Sequence, residues 1–239
     1  MRTGPRSFAR LSIASAAWAV ACVLLGGVNH AKADVIVGVD PTQNWIGYMN
    51  VFELPSNGGG YDFGSDWATS ALPATFSGSV ATLAPNINID QTDPIDSYWW
   101  QPPNDGTTPG NHIMAASFYV ENDPGPGSLS GQTVTFTGDV LSNTLVSPYT
   151  SVAFIDDFTP SYSLVNTITT PLVPGDFSIN LYINPGDVLQ YGFITTGPNA
   201  RVAAEPGLGN VQVTAVPEPV TLGVLGAIAI PLLARRRRA

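Results

Sequence analysis

The sequence predicts an all-β protein, an antiparallel β-sandwich of jelly-roll type, with an apolar helix expected at each end of the chain. Three observations carry this. The 24 glycines and 21 prolines among 239 residues cut the chain into segments too short for ordinary helices. Those segments alternate apolar and polar residues. In 132–141 (QTVTFTGDVL), Val134, Phe136 and Val140 share one face and Thr133, Thr135 and Thr137 the other, the pattern of a half-buried strand. No stretch between the two apolar ends has the 3.6-residue period of an amphipathic helix. Eight or more short strands separated by turns read as a sandwich, and at this length as a jelly roll.

At the start, Arg2, Arg6 and Arg10 precede an apolar stretch over 11–28 and the small-x-small site Ala31-Lys32-Ala33. This predicts a signal peptide over 1–33 and a mature chain beginning at Asp34. Cys22, the only cysteine, lies inside the apolar run, so the exported part carries no disulfide and relies on packing.

Residues 34–215 read as one β domain. Strands are expected at 35–39, 45–52 (WIGYMNVF), 76–83, 113–121, 132–141 and 151–155. Two turn signals, Pro174-Gly175-Asp176 and Asn184-Pro185-Gly186-Asp187, bracket 177–183 (FSINLYI). Residues 188–195 then read as its hairpin partner. A strand at 211–216 closes the domain beside the opening one. Residues 55–73 and 90–110 read as long loops.

Charge narrows the partners. Between the two ends only Arg201 is basic, against seventeen acids, a net charge of −16. Nucleic acid needs a basic footprint and is excluded. Anionic membranes and acidic polysaccharides are repelled.

Catalytic groups are scarce. His112 is the only histidine in 34–215, lysine is absent there, and no G-x-S-x-G elbow occurs. His112 is expected to be structural, and a lone histidine argues against zinc. Glu53, Glu121, Glu205 and many aspartates are available to a glycosidase, but sequence gives no separation between them. The expectation is a non-enzyme without a cofactor. Calcium is weighed at two places. Asn86, Asn88 and Asp90 alternate like the start of an EF loop and Asp93 and Asp96 follow, but Gln91 stands where glycine is needed and Ser97 where a bidentate glutamate is needed. Asp156-Asp157 remains as the calcium candidate. Trp45 is expected in the core, whereas Trp67, Tyr98, Trp99 and Trp100 offer flat faces for sugar binding.

The chain ends with Val216-Pro217-Glu218-Pro219, an uncharged run over 220–234, and Arg235, Arg236, Arg237 and Arg238. An apolar helix followed by arginines is a membrane stop with its basic end in the cytoplasm. Fifteen residues is short against the roughly 20 a lasting span needs, which suits a segment held briefly and then cut. This order over 216–239 resembles the PEP-CTERM sorting signal of bacterial exosortase substrates. The resemblance implies a Gram-negative-type bacterium and cleavage near Pro217-Glu218-Pro219 by a membrane exosortase. It also implies a transient stay in the inner membrane through the C-terminal helix, then transfer to the cell surface or extracellular matrix. From Ser130 onward the strands also resemble the later strands of carbohydrate-binding jelly rolls: one led by Gly131-Gln132, one reading Ser151-Val152-Ala153-Phe154, an alternating pair and a short closing strand. The functional expectation is an exported, non-enzymatic surface or matrix protein. The alternatives are a carbohydrate-binding module that uses its tryptophan-rich loops on extracellular polysaccharide, and an extracellular glycoside hydrolase.

Overall fold

The computed structural model describes residues 34–87, 96–103 and 108–217. The expected signal peptide with Ala31 and Ala33, Glu218, Pro219, the apolar run, Arg235–Arg238, and Asn88, Asp90 and Asp93 of the EF-like pattern all lie outside the described residues. Among the described residues no helix is long and apolar enough to cross a membrane.

The described residues are mostly β-strand. In chain order the strands are β1 (Val35–Gly38), β2 (Trp45–Glu53), β3 (Tyr61–Trp67), β4 (Ala74–Ser77), β5 (Val80–Leu83) and β6 (His112–Asn122). They continue with β7 (Thr133–Asn143), β8 (Thr150–Phe158), β9 (Leu164–Pro171), β10 (Gly175–Tyr182), β11 (Val188–Pro198) and β12 (Val211–Thr214). They form two six-stranded sheets. The first runs β4-β5-β12-β7-β10, with β1 parallel to β7. β1 pairs with residues 134–137 of β7 and β12 with residues 139–143, both on the edge opposite β10. The opening and closing strands therefore lie end to end. The second sheet is wholly antiparallel, in the order β3-β2-β6-β11-β8-β9.

The core lies between the sheets and follows the period-two pattern. Val134, Phe136 and Val140 of the first sheet meet Met49, Val51, Met114, Phe118, Ile155 and Phe193 of the second. Phe136 is fully buried and packs its ring 5.2 Å from Phe177, 5.2 Å from Tyr191 and 5.5 Å from Phe193. Trp45 stacks 4.6 Å from Phe118 at the margin of this cluster.

Four details differ from the sequence expectation. The stretch expected as one strand over 76–83 is a hairpin of β4 and β5, turning at Gly78, whose φ of 62° suits glycine. Within the expected loop 55–73, residues 61–67 form the edge strand β3 on β2. β9, also an edge strand, is exposed along most of its length, so it lacks the apolar alternation that marks a strand. Finally, β10 and β11 are not a hairpin. β10 pairs with β7 in the first sheet and β11 with β6 and β8 in the second. The Asn184–Asp187 turn crosses between sheets, and each strand buries its apolar face from its own sheet.

Candidate functional site

Strands present alternate residues to opposite faces. In the second sheet the residues that alternate with the core positions line an open cleft of about 1170 Å³ on the outer face. Register sets its composition. One row across the sheet is Glu121, Gln190, Asp156 and Thr167. The next is Ile46, Tyr119, Gly192 and Phe154. A third is Asp66, Tyr48, Ser117 and Ile194. The centre of the floor is apolar over the buried Tyr119 and Phe154, with carboxylates, an amide and hydroxyls to either side and the more open rings of Tyr48, Trp67 and Tyr162 along the cleft.

The polar groups are held in place. The Gln190 amide donates to Glu121 Oε2 at 2.6 Å, and the Tyr162 hydroxyl donates to Glu121 Oε1 at 3.0 Å. Burial raises the Asp156 carboxyl above its ordinary value, and the hydrogen bond with Thr167 offsets only part of this. Burial also pushes the Tyr119 phenol up to about 12, helped by the charge of Glu121. It therefore remains a hydroxyl donor at neutral pH.

Asp156 is kept at a cost. A carboxyl whose folded pKa is raised binds its proton more tightly when folded, so ionising it destabilises the fold. That cost is present above the folded pKa and vanishes below the unfolded value of about 3.9. Asp156→Asn is therefore expected to melt higher than the parent at pH 7 and level with it near pH 3.5. A lower melting temperature at pH 7 would contradict the assignment.

The close packing of β6 on β11 at Tyr119 depends on Gly192. A β-carbon there would fall inside van der Waals contact of the Phe118 carbonyl and of Tyr119. Gly192→Ala is expected to shift Tyr119 and cost about 1–3 kcal/mol, the range for overpacking, read by urea denaturation.

The expected sugar-binding aromatics separate. Trp67 is half-buried at the cleft margin, its indole N–H donating to Ser65 Oγ at 3.0 Å. Tyr98, Trp99 and Trp100 lie away from the cleft, on a strap across the ends of β2, β3 and β6. Tyr98 is exposed, Trp99 half-buried with its ring 6.3 Å from Phe63, and Trp100 fully buried. Trp100 offers no face to a sugar. Its ring carries the Arg201 guanidinium 3.8 Å from its centre, and Arg201 Nε donates to the Thr108 carbonyl at 2.9 Å. The single cation of the domain is thus engaged in anchoring the strap. Asn199 completes the tie, donating to the Trp99 carbonyl at 2.9 Å and accepting from the His112 amide at 3.0 Å.

The two aspartates weighed for calcium, Asp156 and Asp157, have different surroundings. Adjacent strand residues point oppositely, so Asp156 lines the cleft while Asp157 is fully buried. Asp157 Oδ2 accepts from the Asn184 backbone and side chain at 3.3 and 2.7 Å. In the EF-like pattern, Asn86 is buried and donates to the Ala71 carbonyl, and Asp96 accepts from the Tyr98 amide. Asp34, Val216 and Pro217 flank the first and last strands.

Sequence reading missed the cleft because its row of polar residues comes from four strands far apart in the chain. Glu121, Gln190 and Asp156 each look like an ordinary solvent-facing residue of its own strand. Comparison with models of known protein families and with curated proteins finds no match.

Proposed function

We propose that this chain is an exported, non-enzymatic surface or matrix protein whose β domain binds a neutral polysaccharide in the cleft of the second sheet. The observation that carries the binding reading is the cleft itself, an open trough in which the more open rings of Tyr48, Trp67 and Tyr162 stand beside hydrogen-bonding groups. Aromatic faces stack on the apolar faces of sugar rings, and a few fixed polar groups set orientation. Glu121, Asp156 and Asp66 accept hydrogen bonds from sugar hydroxyls, and with the domain's net negative charge they disfavour an anionic chain.

The strand order supports the jelly-roll reading. Four strands run β5-β12-β7-β10 in one sheet and four run β6-β11-β8-β9 in the other. From β5 onward every connection except β8–β9 passes between the sheets. The export and sorting reading rests on the sequence: the signal peptide over 1–33, and the resemblance of 216–239 to the PEP-CTERM signal, with exosortase as the processing partner. Intact mass spectrometry of the protein from its native cells tests that part. The account expects a chain beginning at Asp34 and lacking Arg235–Arg238, and a retained arginine block contradicts it.

A second reading, hydrolysis, is favoured by one observation. Asp156, with its raised pKa, shares the cleft with Glu121, and a carboxyl that holds its proton is what a general acid requires. Glu121, however, already accepts hydrogen bonds from Tyr162 and Gln190 on its two oxygens, an arrangement that suits binding. A panel of soluble neutral polysaccharides, scored by retardation in affinity electrophoresis and by release of reducing ends, separates the readings. Retardation without reducing ends is expected. Steady release abolished by Asp156→Asn would replace binding with hydrolysis.

A further inference from the structure

At one end of the sandwich, away from the cleft, three ligating side chains converge. Glu53 of β2 and His112 of β6 are cross-strand partners. They point to the core side of the sheet, in phase with the buried Met49, Val51 and Met114. Asp62 joins them through an irregularity in β3, where pairing steps from Val51↔Phe63 to Phe52↔Tyr61. Asp62 is the extra residue of this bulge, and a bulge re-aims a side chain out of the pleat.

His112 is 1% exposed, and neither of its ring nitrogens has a hydrogen-bond partner. Its Nε2 faces Glu53 Oε1 at 3.7 Å and Asp62 Oδ2 at 3.7 Å. A buried polar nitrogen left unsatisfied is costly, and 3.7 Å is too long for a hydrogen bond. The spacing suits coordination better. A tetrahedral ion with bonds of about 2.0–2.1 Å holds its ligand atoms about 3.4 Å apart. The three donor atoms already lie within 4.8 Å of one another, so a small inward movement completes the fit. Two carboxylates here also lack a neighbouring cationic side chain, since Arg201, the only lysine or arginine among residues 34–217, lies on Trp100.

The surroundings hold the set in place. The Tyr98 hydroxyl donates to Asp62 Oδ2, and its ring lies 4.3 Å from the imidazole, with Trp99 at 5.3 Å on another side. Burial, with the Asp62 hydrogen bond, raises the Tyr98 phenol well above its ordinary value and keeps it a donor. The His112 backbone is bonded through both N–H and carbonyl to Asn199. Glu53 and Asp62 are about a third exposed, so water can reach the remaining coordination positions.

We infer that Glu53, Asp62 and His112 form a binding site for a divalent first-row transition-metal ion, with zinc the best match. An imidazole among the ligands favours such an ion over calcium, which takes six to eight oxygens. In the sequence a lone histidine argues against zinc; here the bulge supplies a second carboxylate that the sequence spacing hides.

The test is calorimetric titration of zinc into the chelator-stripped full chain, with melting temperature read in parallel. One equivalent is expected to bind and to raise the melting temperature. Glu53→Gln and Asp62→Asn change partly exposed groups and are expected to keep the metal-free melting temperature while weakening zinc at least tenfold. Cobalt is expected to give visible d–d bands that disappear in His112→Gln. Absence of saturable binding overturns the inference, as does binding unchanged in both carboxylate variants. Stability that ignores zinc and falls as pH rises would assign the cluster to an imidazolium ion pair and overturn it equally.

Discussion

Phe136→Ala is expected to cost about 3–5 kcal/mol, the range for deleting a fully buried aromatic ring. Phe136 sits on β7, the strand of the first sheet that pairs with β1, β10 and β12. Its ring contacts Phe177 of its own sheet and Tyr191 and Phe193 of the other. Removing it leaves a cavity where the sheets are joined, and relaxation cannot fill it because the surrounding rings are themselves fixed by the strands. The domain has no disulfide to limit the loss. A domain of this kind is stable by about 5–15 kcal/mol, so the variant approaches the unfolding threshold. Its melting temperature is expected to fall by roughly 10 °C, measured by circular dichroism. A fall no larger than that of a surface substitution, about 0.5 kcal/mol, would mean that the two sheets are not joined here.

Ser117→Trp is expected to weaken polysaccharide binding sharply while leaving the fold intact. Ser117 lies on the outer face of β6, opposite Tyr48 of β2 and Ile194 of β11. Its side chain opens into the cleft, so an indole there occupies the space of a sugar ring instead of displacing the core. The affinity loss is expected to reach about a hundredfold, ~2.7 kcal/mol. The melting temperature should move little, as for a substitution into open space. Tyr98→Ala, on the distant strap, should leave polysaccharide binding unchanged. The reverse pattern would return the function to the tryptophan-rich strap.

The fold was legible where one face of a strand is buried. The alternation of Val134, Phe136 and Val140 with threonines marks β7 directly, and the burial pattern of that strand follows it residue by residue. β9 was hidden because an exposed edge strand needs no apolar face. β3 was hidden because Gly64 and two aspartates interrupt its pattern. The β10–β11 connection read as a hairpin because its turn residues fit one. Turn chemistry reports that the chain reverses, not which sheet receives it.

The candidate sites were less legible still. The cleft is a property of register: Glu121 and Gln190 are hydrogen-bonded although 69 positions apart. The tryptophan cluster looked like a platform, but the side chains of Tyr98, Trp99 and Trp100 have different surroundings, and Trp100 lies buried under Arg201. His112 looked isolated because its partners, Glu53 and Asp62, come from two other strands, one of them bulged.

The most direct measurement is isothermal titration of a neutral polysaccharide found by the electrophoretic panel, comparing the parent chain with Ser117→Trp. Saturable binding to the parent, loss of about a hundredfold in the variant, equal melting temperatures and no release of reducing ends are expected. Equal affinity in both proteins would contradict the central claim, because the ligand would then lie outside the cleft.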